Sequence, residues 1–195
     1  MAGEQLEVLF KVLAVLERLN IDYVIGGSFA SSAHGFARAT MDVDLLAAIS
    51  REHANLLVSE LGSEFYADEQ SIRRATDEQR HFNIIHIDTS FKIDVFVAKP
   101  GGFDEKQLER RRLRVINDEP ERTAYVATAE DTILAKLKWY RLGNEVSDRQ
   151  WQDVIGVIKI QAGRLDTDYL KQWADTLGVS DLLERALAQA QGSRK

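Results

Sequence analysis

The chain of 195 residues has 45% hydrophobic side chains and a formal net charge of −6. That suits one domain, or a main domain with a small appendage, and it excludes a generic polyanion binder, because any nucleic-acid contact would need a local basic patch. The sequence has no cysteine, which removes disulfides, thiolate metal sites and cysteine nucleophiles.

The first element read along the chain is a helix. Residues 4–19 place Leu6, Leu9, Phe10, Leu13, Leu16 and Leu19 at helical spacing, with Glu7, Lys11 and Glu17 outward. This acidic amphipathic start is unlike a signal peptide. No apolar run approaches the roughly 18 residues that span a bilayer. The expectation is a soluble, cytoplasmic protein. Ile21–Ile25 reads as a buried strand stopping at Gly26-Gly27, and Ser28 is placed to cap a small-residue helix running to about Gly35.

Met41–Ala47 reads as a second strand, after which Ser50 is expected to cap a helix over residues 51–61. Residues 63–80 are polar and poorly patterned; they support a short strand near Phe65–Ala67 and a loop or short helix. His81–Ile87 and Phe91–Ala98 read as strands, the latter ended by Lys99-Pro100-Gly101-Gly102. Asp104–Leu113 reads as a charged helix, followed by short strands at Arg114–Ile116 and Thr123–Ala127 joined through Pro120. From Thr128 the pattern is helical over 129–142, 147–162, 167–177 and 180–191, with Thr128 and Asp131 in capping-box spacing. The expected fold class is α/β: a small mixed sheet flanked by helices over 1–127, then a helical bundle over 128–195.

The chemistry-bearing residues sit on the strands. Asp42 and Asp44 are two apart in an apolar run, so an extended backbone aims both carboxylates at one face, about 7 Å apart. Two like charges on one strand face are costly unless something positive lies between them, and a divalent cation is the most economical candidate. Asp94 is a third carboxylate in a strand interior, between Ile93 and Val95. If its strand lies beside Met41–Ala47, the three converge. Convergent carboxylates suit Mg²⁺, which prefers oxygen ligands and leaves positions for phosphates, as in phosphoryl or nucleotidyl transfer. Gly26-Gly27-Ser28 complements them, since glycines let backbone N–H groups approach an anion at a helix start.

These motifs resemble a known family. Gly26-Gly27-Ser28, His34-Gly35, Arg38-x-Thr40-x-Asp42-x-Asp44 and the later apolar-Asp94-apolar strand are similar to the nucleotidyltransferase fold of the DNA polymerase β superfamily. Within it they resemble the small bacterial AbiEii-type toxin nucleotidyltransferases. Residues 130–137 and the Asp148-Arg149-x-x-x-Asp153 segment resemble that group more weakly.

The resemblance implies that Asp42, Asp44 and Asp94 are catalytic and hold Mg²⁺ or Mn²⁺, with Asp94 activating the acceptor hydroxyl. It further implies that Gly26, Gly27, Ser28, Arg38, Thr40 and Lys136 bind the NTP. Arg38 and Thr40 have a second reading as stabilisers of the entry to the second strand, and Lys136 as a surface lysine. His34 reads as a helix-end packing histidine.

The implied reaction moves a nucleoside monophosphate from an NTP to an acceptor hydroxyl, releasing pyrophosphate. The acceptor is a tRNA or other RNA end, a protein or a small molecule. Toxin-like action with a cognate toxin–antitoxin partner follows from the same likeness. The alternative is a catalytically silent binding or antitoxin protein that keeps the fold. A phosphohydrolase would release free phosphate instead.

Overall fold

The computed structural model describes residues 3–36, 42–118 and 120–192. They form two compact units, residues 3–26 with 42–126, and residues 27–36 with 127–192.

The first unit holds a seven-stranded mixed sheet: β1 (Tyr23–Ile25), β2 (Asp42–Ala47), β3 (Phe65–Tyr66), β4 (His81–His86), β5 (Lys92–Val97), β6 (Arg112–Asp118) and β7 (Glu121–Val126). Their order is β3-β4-β5-β2-β1-β7-β6. β2 runs parallel to β5 and antiparallel to β1, while β1 runs parallel to β7. Strict alternation explains why the central strands hold their register. Val43, Leu45, Ala47, Ile93, Val95, Val97, Phe82 and Ile84 are buried, and the residues between them are not. One sheet face is therefore core and the other carries the polar side chains.

Helices of this unit supply the rest of the core. α1 (Gly3–Arg18) buries Val8, Leu9, Val12, Leu13, Val15 and Leu16; of the expected stripe Leu9, Leu13 and Leu16 are core, while Leu6, Phe10 and Leu19 are only half-buried and Val8, Val12 and Val15 take their place. In the second unit, α2 spans Gly27–His34. Back in the first, α3 (His53–Leu61) buries Ala54, Leu57 and Leu61. Its start corrects the expected Ser50 cap: Ser50 donates its backbone N–H to His53 Nδ1 at 3.1 Å, and the helix begins at His53.

The polar stretch after β3 forms a ten-residue helix, α4 (Glu69–Glu78). It needs only a narrow stripe, Ile72 and Ala75, because the Asp68 side chain caps Ser71 N at 2.7 Å and Glu69 pairs with Arg73. α5 (Phe103–Arg110) is shorter than expected, since Arg111 turns extended and Arg112 and Leu113 enter β6. β6 is an edge strand, where charged side chains can face water without burial cost.

The second unit is helical: α2 with α6 (Ala129–Leu142), α7 (Asp148–Ile160), α8 (Thr167–Thr176) and α9 (Ser180–Gly192). Thr128 caps α6 reciprocally, accepting from Asp131 N at 3.1 Å and donating to Asp131 Oδ2 at 2.9 Å. Asp131 is fully buried and its other oxygen accepts from Tyr169 Oη at 2.6 Å, which ties α8 to α6. α2 presses on α7 at Gly35, where an added Cβ would lie 2.9 Å from Ser31 O and 3.0 Å from Val157 N. His34 is buried and donates from Nε2 to Ala127 O at 2.6 Å, a packing role in keeping with its place at a helix end.

Candidate active site

The parallel pairing of β2 and β5 builds the acidic face. Its register sets Asp44 against Asp94 and Asp42 against Lys92. Residues paired across neighbouring strands project from the same face, with backbones about 5 Å apart. Asp42, Asp44 and Asp94 therefore share the polar face of the sheet: the spacing set Asp42 and Asp44 together, and the pairing of β5 with β2 adds Asp94. Asn83 of β4 stands opposite Asp94 on the far side and completes a row of Asp44, Asp94 and Asn83 across three strands.

The fourth corner of the acidic square is a cation that sequence reasoning missed. Lys92 donates from Nζ to Asp94 Oδ2 at 2.7 Å. Its ammonium is held above the ordinary lysine range, first by the Asp94 hydrogen bond and then by the charges of Asp94, Asp42 and Asp44. Burial opposes that shift without cancelling it. The signal was available, because Lys92 lies two residues before Asp94 in a strand and so shares its face.

As they stand, no three histidine, aspartate or glutamate side chains among the described residues gather around one point that would enclose an ion. The donor chemistry nevertheless fits a hard divalent cation: three carboxylates on one face, with no sulfur and no imidazole among them. The Asp94 side chain is 14% exposed and that of Lys92 43%, so the lysine is the partner free to swing toward water.

The remaining predicted residues are distributed as follows. Gly26 follows β1, and its N–H donates to Asp44 O at 2.9 Å. That group is committed to the backbone beside the acidic pair, so Gly26 holds the turn in place and has no N–H to offer a phosphate. Gly27 has a φ of 53°, in the left-handed region that glycine tolerates, and it opens α2 in the helical unit. Ser28 lies within the first turn of α2, not before it as a cap, and its carbonyl accepts from Ser31 Oγ at 3.0 Å.

Lys136 is buried in α6 and donates from Nζ to Asp153 Oδ2 of α7 at 2.8 Å, inside the helical unit. Arg38 and Thr40 lie outside the described residues.

Neither a protein-family model nor a curated protein sequence matches the chain. Solved structures do. The antibiotic-resistance factor ANT(2'')-Ia, known from a solution structure, aligns over 100% of this chain and 99% of its own at TM-score 0.57 and 16% identity. The lincosamide antibiotic adenylyltransferase LnuA, solved with lincomycin bound, aligns over 82% of this chain and 98% of its own at TM-score 0.51 and 13% identity. At these identities the likeness establishes the fold: a mixed α/β architecture of the nucleotidyltransferase type.

Proposed function

We propose that this protein is a divalent-metal-dependent nucleotidyltransferase that moves a nucleoside monophosphate from an NTP to an acceptor hydroxyl and releases pyrophosphate. The observation that carries the reading is the register of β2 and β5, which sets Asp42, Asp44 and Asp94 on one face of the sheet. Fold alone does not fix function. The three carboxylates on a nucleotidyltransferase-type fold supply the chemistry.

Asp42, Asp44 and Asp94 would hold Mg²⁺ or Mn²⁺. When bound, the ion neutralises charge on the triphosphate and on the leaving pyrophosphate. Asp94 would accept the proton of the acceptor hydroxyl. Gly27 and Ser28 are candidates for the phosphates by family pattern. Gly26 acts through the Asp44 carbonyl. Arg38 and Thr40 remain candidates for the nucleotide by family pattern. Lys136 would have to leave Asp153 to reach a phosphate, and breaking so buried a pair is expensive, so we assign it to the helical packing.

For the acceptor, a small-molecule hydroxyl of the antibiotic class is the reading we favour, supported by the likeness to ANT(2'')-Ia and LnuA. Modification of a tRNA or protein, with a cognate toxin–antitoxin partner in the cytoplasm, is the reading that follows from the AbiEii-like motifs. A catalytically silent binding protein is favoured by one observation, the Lys92–Asp94 pair, in which an ammonium already neutralises part of the acidic face.

The discriminating experiment incubates the protein with Mg²⁺ and each labelled NTP, offering a panel of aminoglycosides and lincosamides, total RNA and total protein in turn. Label on one fraction with equimolar pyrophosphate supports transfer. Free phosphate as the product marks a hydrolase, and no product with any NTP marks a silent protein.

A further inference from the structure

The Lys92–Asp94 contact has a chemical consequence beyond neutralising a crowded face. Asp42, Asp44 and Lys92, Asp94 occupy the four corners of two register pairs on one face. Lys92 reaches along its own strand to Asp94, two residues away, and its charge is felt by all three carboxylates. The ammonium therefore stands where the positive charge of a divalent cation would be needed. It sits on a flexible four-carbon stem with a side chain 43% exposed, so it can be displaced into water without unfolding the strand.

We propose that Lys92 is a built-in counterion and positioning residue that holds Asp94 against the acidic pair and competes with the free divalent cation. A bare ion must displace Lys92 from a face whose net charge the lysine has already reduced, so it binds weakly. A nucleotide that arrives with its own metal meets the same lysine as an attraction, because its triphosphate is anionic. The lysine thus lowers affinity for the free ion and raises affinity for the metal–nucleotide complex. This inference rests on the reading of the three aspartates as metal ligands.

The test compares the full-length protein with Lys92→Met and Lys92→Arg, using Mn²⁺ alone and then a non-hydrolysable ATP analogue at saturating Mn²⁺. Mn²⁺ binding is followed by loss of the free-ion EPR signal and nucleotide binding by calorimetry. Lys92→Met is expected to bind free Mn²⁺ about tenfold more tightly than wild type and the nucleotide at least about threefold more weakly. Lys92→Arg keeps the charge and is expected to stay within about threefold of wild type for both. Should the methionine variant fail to fold by circular dichroism, Lys92→Gln carries the same expectation.

Opposite-signed shifts support the proposal, since a merely structural lysine would move both affinities the same way or neither. Unchanged or weaker Mn²⁺ binding in Lys92→Met, with nucleotide binding intact, overturns it and leaves the nucleotidyltransferase reading standing. No Mn²⁺ binding by either protein, with or without nucleotide, overturns both.

Discussion

Asp44 of β2 and Asp94 of β5 are register partners in a parallel strand pair, so their carboxylates leave the same face of the sheet. Like charges directly opposite one another destabilise a sheet by a few tenths of a kcal/mol to about 1 kcal/mol. Asp44→Asn removes the repulsion while keeping shape. The variant is expected to remain folded by circular dichroism and to lose at least about a hundredfold in pyrophosphate release. A lower melting temperature with activity unchanged would mark Asp44 as structural.

Under the proposed function Asp94 has a second duty, accepting the proton of the acceptor hydroxyl. Asp94→Asn is expected to lower kcat by about 10²–10⁴-fold, the range for loss of a positioned base. NTP binding measured at saturating Mg²⁺ should fall far less. Loss of binding equal to loss of turnover would show that Asp94 only holds the metal.

Lys136 and Asp153 pair at 2.8 Å with side chains 10% and 11% exposed. Lys136→Met removes the ammonium from a buried carboxylate and is expected to cost about 3–5 kcal/mol in urea unfolding. Adding Asp153→Leu should recover most of that loss. Additive losses would contradict the assignment of this pair to helix packing.

Gly35 has no room for a side chain: besides Ser31 O and Val157 N, an added Cβ would lie 3.1 Å from Gly156 C, and all three are backbone atoms. Gly35→Ala must move α2 away from α7 and is expected to cost about 1–3 kcal/mol in the same assay. The glycine of the His-Gly pair thereby has a packing reason to be there.

The alkaline limit of stability should report on Tyr23. Burial, then the hydrogen bond to Glu17, raise its phenol well above its ordinary value of 10.0. A raised folded-state pKa gives stability that is complete below pH 10 and is lost as pH climbs toward the folded value. Wild type should therefore lose stability above about pH 10 more steeply than Tyr23→Phe, which lacks the ionising group. Parallel curves for the two proteins would refute the linkage.

The sheet and its acidic face were legible because a period of two cannot be satisfied by anything but a strand with one buried face. Val43 between Asp42 and Asp44, and Ile93 and Val95 around Asp94, put each carboxylate opposite its strand's buried side chains, and the β2–β5 pairing brings the three together. α4 was not legible beyond a loop or short helix, since it buries only Ile72 and Ala75 and owes its length to the Asp68 cap and the Glu69–Arg73 pair.

Arg112 and Leu113 read as helix because their charged neighbours continue α5. They are strand because β7 pairs with them at the sheet edge, a tertiary effect with no local signal. Lys92 was missed for a different reason: the acidic face was read as lacking a cation, and the strand itself carried one.

The central claim is tested most directly by titrating ATP, GTP, CTP and UTP in turn into wild-type protein and Asp42→Asn, with and without Mg²⁺, by calorimetry. The account predicts that wild type binds at least one NTP only when Mg²⁺ is present and that Asp42→Asn, folded as judged by circular dichroism, loses that binding by at least about tenfold. Equal binding by both proteins, or no NTP binding by wild type under any of these conditions, would contradict it.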